Sequence, residues 1–87
     1  MGDLLTSEQL RAARALLRLE QRALSEASKV SLATIKRLEA VRGGLIANRL
    51  TIAALQNALE HAGVIFIAQN GGGPGVRLRD PMSARHK

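Results

Sequence analysis

The sequence predicts a small, mainly α-helical domain of four helices followed by a short C-terminal β-hairpin. Apolar residues recur at helical spacing in four stretches between residues 7 and 62, most of them next to recognisable capping residues. The periodicity then changes, because residues 64–68 form a continuous apolar run and residues 76–79 alternate apolar with basic side chains. The chain has 87 residues and no cysteine, so we expect one core without disulfide bonds.

Helix one is predicted from a capping pattern and from the apolar residues that follow it. Thr6 and Gln9 have the spacing of a capping box, in which each side chain accepts a hydrogen bond from a backbone amide of the other residue. Leu10 and Ala13 then begin a series of apolar residues at helical spacing. The pattern predicts a helix over residues 7–17.

Helices two and three are separated by only two or three residues. Leu24 and Ala27 would form the inward face of helix two, which is predicted over residues 21–28. Ser31 is a favourable N-cap for helix three, predicted over residues 32–41 and ended by the Gly-Gly pair that follows. So short a link favours a helix-turn-helix, a motif that can place its second helix in the major groove of DNA.

Helix four and the hairpin complete the expected domain. Asn48 can cap helix four, whose apolar stripe continues to Ala62. Gly63 follows at the position where a left-handed residue commonly ends a helix. Two strands joined by a glycine-rich loop predict a hairpin over about residues 64–79.

The charge of the chain is unbalanced. Thirteen Lys and Arg residues against seven Asp and Glu give a net charge of +6. Nine of the basic residues lie between positions 11 and 49, where only three acidic residues oppose them. A field of this sign attracts nucleic acid, although a solvated charged surface has the same composition. Phe66 is the only aromatic residue, which argues against base stacking on an aromatic platform.

We expect residues 1–80 to form one domain and the polar, basic residues 81–87 to be a disordered tail. No apolar stretch approaches the roughly 20 residues of a membrane span, and the first ten residues carry acidic side chains where a signal peptide would be basic. These features predict a protein without a membrane partner, located in the cytoplasm and associated with the nucleoid if it binds DNA.

The sequence contains no pattern that predicts an enzyme, a metal site or a cofactor. The glycine-rich stretch at residues 70–75 lacks the Lys and Ser or Thr of a phosphate-binding loop and joins two strands. His61 and His86 are far apart and have no cysteine or carboxylate cluster nearby in the sequence. No serine has a credible His and Asp partner. We therefore predict a binding protein.

The residues from helix two to helix three resemble the Xre-like, Cro and phage-repressor family of helix-turn-helix regulators. The shared pattern is Gln, a small residue, a Val-Ser turn, Ile, an aliphatic residue and Glu, here Gln21, Ser25, Val30, Ser31, Ile35, Leu38 and Glu39. The resemblance covers roughly residues 5–62, and residues 62–78 look like the hairpin extension of a subgroup of very small regulators. It implies a four-helix lambda-repressor-like fold.

The resemblance implies roles for individual residues. Gln21 would contact the DNA backbone and brace the recognition helix, and Ser31 would cap that helix and contact a phosphate. Arg37 could pair with a guanine, whereas Leu32 and Ala33 could only make apolar contacts, best with a thymine methyl group. The expected DNA-binding set is Gln21, Ser31, Leu32, Ala33, Thr34, Lys36, Arg37 and Arg42. For Lys36 and Arg37 the alternative is a solvated charged face.

Two further expectations come from comparison with the family pattern. Arg14 and Glu39 match positions that form a partly buried salt bridge between helix one and the end of helix three. Arg18, Lys29 and Val41 stand where the family usually has glycine, at helix ends that favour a left-handed residue. We interpret the two cations as trading some stability for phosphate attraction; the alternative is another turn geometry.

Family members usually bind inverted repeats as two-fold dimers, so we expect a homodimer on a double-stranded operator. The strand residues Val64, Ile65, Phe66 and Ile67 form the predicted dimer interface, because four helices and one partner strand cannot easily cover both of its apolar faces. The leading prediction is a sequence-specific repressor that inserts helix three into the major groove. The alternatives are an antitoxin-like module that neutralises a protein partner such as a toxin, and a protein that binds structured RNA.

Overall fold

A computed structural model describes residues 5–81 of the chain. Its elements are α1 Ser7–Leu17, α2 Gln21–Ser28, α3 Leu32–Glu39, α4 Arg49–Ala62, β1 Val64–Ile67 and β2 Gly75–Leu78. The protein is therefore mainly α, with four helices and a two-stranded antiparallel hairpin, which confirms the predicted class. Within the described residues no helix is both long and apolar enough to cross a bilayer. The predicted tail lies outside this range except for Pro81.

The first two helices have the predicted bounds. The capping box is confirmed, since the Thr6 hydroxyl accepts a hydrogen bond from the Gln9 amide and the Gln9 side chain accepts one from the Thr6 amide. In α2 the prediction for Ala27 is wrong: Ala27 is exposed, and Leu24 and Ser28 are the buried pair. Ser28 tolerates burial because its hydroxyl donates to the Leu24 carbonyl at 2.7 Å.

The third helix ends two residues earlier than predicted, at Glu39. Ala40 caps it in a right-handed conformation, and the left-handed glycine, Gly43 (φ 80°), lies in the loop beyond. The cause is a contact with α1, because the Arg11 guanidinium donates to the Glu39 carbonyl at 2.5 Å and to the Val41 carbonyl at 3.4 Å. These carbonyls bond to a side chain from another helix, so the glycine pair does not end α3.

The core is aliphatic and draws on every helix. Its buried members are Leu5, Leu10, Ala13, Leu24, Val30, Ile35, Leu38, Leu45, Leu55, Leu59 and Val64. Each fully buried leucine or isoleucine contributes about 1.5–3 kcal/mol relative to an exposed one. Leu5 and Leu45 come from outside the helices and are joined by a backbone hydrogen bond of 3.0 Å. The loop between α3 and α4 is thereby attached to the start of α1.

The hairpin packs with β2 mainly on α1 and with β1 on both α1 and α4. Val64 pairs with Leu78 and Ile67 with Gly75. β1 ends one residue before the predicted end of its apolar run at residue 68, and β2 lies one residue earlier than the predicted residues 76–79. The Gln9 carboxamide donates to the carbonyl of Ile67 at 3.3 Å and to that of Gly75 at 2.9 Å. Gln9, the partner of Thr6 in the capping box of α1, therefore also holds the loop end of the hairpin.

Candidate nucleic-acid interface

The turn between α2 and α3 is fixed by two serines. The Ser25 hydroxyl donates to the Val30 carbonyl at 2.6 Å, and the Ser28 hydroxyl accepts from the Val30 amide at 3.2 Å. The Val30 side chain is buried in the core. The amide and the carbonyl of Val30 are thus both hydrogen-bonded, and its side chain packs in the core. Together these contacts hold α2 and α3 in one orientation. The family pattern requires only a small residue at Ser25, whereas in the structure the Ser25 hydroxyl makes the hydrogen bond to the turn.

The N-terminus of α3 is capped by Ser31. Its hydroxyl accepts from the Thr34 amide at 3.1 Å and lies 3.0 Å from the Thr34 hydroxyl. Both predicted site residues are therefore engaged with each other. A phosphate would meet the backbone amides of the first turn, which have no partner within a helix.

One face of α3 is exposed and the opposite face is buried. The exposed side chains are Ala33, Lys36 and Arg37, and the buried ones are Ile35, Leu38 and Glu39. The two sets lie on opposite sides of the helix because each residue turns the chain by about 100°. Leu32 and Thr34 lie at the border and are half-buried. Within α3, the part of the predicted site that faces outward is therefore Ala33, Lys36 and Arg37, and Ser31 and Arg42 are exposed on either side of the helix.

The segment from residue 29 to residue 42 has no exposed carboxylate of its own, although the exposed Glu8 of α1 lies beside its end and accepts a hydrogen bond from the Gly43 amide. Between residues 29 and 42 the exposed charged side chains are Lys29, Lys36, Arg37 and Arg42. The single acidic residue of this segment, Glu39, is buried. Its charge is neutralised inside the protein, so the outward field of this segment is that of four cations.

Glu39 is held by residues of two other helices. Arg14 donates to its two carboxylate oxygens at 2.7 Å each, and Gln21 donates to Oε1 at 2.9 Å. Arg14 also donates to the Leu19 carbonyl at 2.8 Å. Burial would raise the pKa of Glu39, but the hydrogen bonds from Arg14 and Gln21 outweigh it and lower that pKa. Arg14 and Glu39 are thus in contact, and Gln21 braces the end of α3.

Of the three positions where the resembled family usually has glycine, two have a left-handed backbone conformation in this chain. Arg18 (φ 54°) and Lys29 (φ 66°) end α1 and α2 with positive φ, and both side chains are exposed. No other described non-glycine residue has a positive φ. The expectation for Val41 is therefore wrong, because α3 has already ended at Glu39.

The predicted dimer strand has one inward and one outward face. Val64 is 1% exposed and Phe66 packs against the core of its own subunit, so these two residues are occupied there. Ile67 is 42% exposed, and Ile65 lies opposite Arg77 in the strand register. Ile65 and Ile67 are the part of the predicted interface that a second chain could reach.

Two residues that the sequence did not single out hold the loop after α3. Arg11 bonds to the Ser7 hydroxyl at 2.6 Å in addition to the carbonyls at the end of α3. The Glu8 carboxylate accepts from the Gly43 amide at 3.0 Å. Backbone hydrogen bonds from Glu8 itself and from Gly43 lower the pKa of this carboxyl group. No local pattern indicates the contacts with the end of α3 and the following loop, because their partners are 28 to 35 residues apart.

In the segment from Leu5 to Pro81, no three His, Asp or Glu side chains lie close enough together to hold a metal ion. A scan against protein-family models finds no match to this chain, and a search of curated proteins finds none with significant similarity.

Proposed function

We propose that this chain is a sequence-specific, double-stranded DNA-binding transcriptional regulator with a lambda-repressor-like helix-turn-helix fold. It acts in the cytoplasm, at the nucleoid, as a dimeric repressor that occupies an operator. The observation that carries the proposal is the exposed, cationic surface of residues 29–42, in which the single carboxylate is buried and paired.

The outward face of α3 has the chemistry needed to read base edges. An α-helix with its side chains is about 10–12 Å across, which fits the major-groove width of about 12 Å. Arg37 can donate two hydrogen bonds to a guanine, Lys36 can donate to a guanine acceptor, and Ala33 can contact a thymine methyl group. Leu32 and Thr34 contribute less to base contacts because they are half-buried.

Phosphate contacts would position α3 in the groove. Lys29 precedes the N-terminus of α3 and Arg42 follows its C-terminus, and both are exposed. These cations flank the reading face, where charge contacts fix orientation without reading sequence. Gln21 donates a hydrogen bond to Glu39 and so holds the end of α3 in position, which would orient the helix in the complex.

One recognition helix reads too few base pairs to specify a genomic site, so the proposal includes a homodimer on an inverted repeat. Half-sites are then about one helical turn apart. Ile65 and Ile67 are the outward residues of β1 available for the two-fold contact.

The test is selection from a randomised duplex library with the full chain, followed by affinity measurements on the enriched sequence. We expect an inverted repeat. Arg37→Ala should lose about 1–3 kcal/mol of binding free energy and relax selection at one base pair per half-site. The control is Arg22→Ala, which removes an exposed cation of α2, outside both α3 and the hairpin, and should keep the selected sequence.

Salt dependence supplies the second measurement. The logarithm of affinity should fall linearly with the logarithm of salt concentration, with a slope of about 0.9 per phosphate contact. Failure to enrich any sequence, together with a flat salt response, would exclude duplex DNA as the partner. Equal competition by structured RNA would favour the RNA alternative.

A further inference from the structure

The start of α4 exposes two large apolar side chains to solvent. Ile46 and Leu50 are each 82% exposed, whereas the next most exposed large apolar residues of the described chain reach 42%. Ala53 is also exposed, one turn after Leu50. We call Ile46, Leu50, Ala53 and the adjoining Arg49 the α4 entry patch. Large apolar side chains that are this exposed, and that lie within eight residues of one another in the sequence, are typical of interaction surfaces.

The charge of the patch indicates what covers it. Arg49 is exposed at the first position of α4. A cation is unfavourable there because the N-terminal end of the helix dipole is itself positive. It forms no ion pair with any described residue. The sequence from residue 40 to residue 59 contains no Asp or Glu. Among residues 5–81 the patch therefore combines exposed apolar area with a positive charge that no carboxylate pairs.

We infer that the α4 entry patch docks a protein partner through an acidic, amphipathic segment, with large apolar side chains on Ile46 and Leu50 and carboxylates beside Arg49. Such a segment covers the apolar area and supplies the missing negative charge at once. This surface does not include the predicted base-reading residues, so the inference does not depend on DNA binding.

Other occupants fit the same surface less well. A second copy joined through this patch would place Arg49 near its own counterpart, with no carboxylate of residues 40–59 between them. DNA offers negative charge but few apolar groups to cover Ile46 and Leu50. Two large apolar side chains are too small an area for stable insertion into a lipid surface.

The experiment is a selection from a random peptide library displayed on phage, with the full chain as bait. Enriched peptides should combine two or more large apolar residues with two or more carboxylates. Leu50→Ser and Ile46→Ser should each weaken their binding about tenfold or more, in line with the loss of one buried apolar side chain. Arg49→Gln should weaken it severalfold and reduce its salt dependence.

The control is Leu16→Ser, which changes a 37% exposed leucine of α1 that lies outside the patch and should leave peptide affinity unchanged. Amide chemical shifts in the complex should move at residues 46–53, and affinity for the selected operator should stay within twofold in Leu50→Ser. A chain that binds these peptides but not DNA would refute the proposed function and leave this inference standing.

Four results would overturn the inference. The first is enrichment of no peptide, or of peptides without carboxylates. The second is a Leu50→Ser variant that turns a dimer into a monomer in sedimentation, which would assign the patch to a second copy. The third is loss of operator binding in the same variant. The fourth is binding of phosphatidylglycerol vesicles by the wild-type chain but not by Leu50→Ser.

Discussion

Lys29 occupies a backbone conformation that glycine adopts far more readily, so replacing it with glycine separates the stability of this position from its charge. Its φ of 66° and ψ of 17° lie in the left-handed region, and its amide closes α2 by donating to the Ser25 carbonyl at 2.9 Å. Glycine can keep this hydrogen bond without a side chain in the unfavourable conformation. The exposed ammonium group, in contrast, is available to attract a phosphate.

The magnitude follows from two opposing terms. A left-handed conformation costs a residue with a side chain about 1–2 kcal/mol. Glycine loses more backbone entropy on folding, about 0.5–1 kcal/mol. Lys29→Gly should therefore stabilise the fold by roughly 0.5–1 kcal/mol, which in a domain of this size raises Tm by about 2–8 °C. Loss of one phosphate contact should reduce the slope of log affinity against log salt by about 0.9.

The assay pairs thermal unfolding, followed by circular dichroism, with fluorescence anisotropy on the selected operator at several salt concentrations. Lys29→Ala is the matched control, because alanine keeps the left-handed strain but removes the charge. It should weaken DNA binding as much as Lys29→Gly without the rise in Tm. The reasoning is refuted if Lys29→Gly raises both Tm and DNA affinity, or if Tm does not increase.

Three further predictions concern the ion pair, the hairpin and the dimer. Glu39→Gln leaves the partly buried Arg14 without its counter-ion and should cost about 3–5 kcal/mol in urea unfolding at pH 7. The pKa of Glu39 is lower in the folded protein than in the unfolded chain, where it is about 4.3. The stabilisation that the ionised carboxylate adds to the free energy of unfolding is therefore complete above that unfolded pKa and is lost as pH falls through the folded pKa. The difference between wild type and variant should therefore shrink below about pH 4, and a constant difference down to pH 3 would contradict this assignment. Gln9→Ala removes hydrogen bonds to the cap and to both strands, so it should lower stability by about 1–3 kcal/mol and speed amide exchange in the hairpin; unchanged exchange would show that packing alone holds the strands. Ile67→Lys should give a folded monomer in sedimentation that binds single half-sites weakly, and a variant that stays dimeric would remove β1 from the interface.

The sequence predicted those features of the fold that depend on neighbouring residues. The bounds of α1 and α4 follow from the caps Thr6 and Asn48, whose side chains bond to amides three residues away. The exposed face of α3 follows from its periodicity, which places Lys36 and Arg37 opposite Ile35 and Leu38. In each case the deciding contact lies within one helical turn.

The features that were not predicted depend on contacts between distant residues. Arg11 reaches the end of α3 from 28 residues away and ends that helix before its glycine pair. The hydroxyl of Ser25 fixes the turn, although the pattern required only a small residue. Val64 and Phe66 face the core because the whole hairpin packs on α1 and α4, which strand periodicity cannot show.

The division of α3 into two faces has an evolutionary consequence. Ile35, Leu38 and Glu39 maintain the fold, whereas Lys36 and Arg37 project into solvent and contribute little to packing. Exposed positions of this kind usually change stability by less than about 0.5 kcal/mol when substituted. A lineage can therefore change residues on the outward face without first acquiring compensating mutations in the core, and under the proposed function such changes would alter the preferred operator.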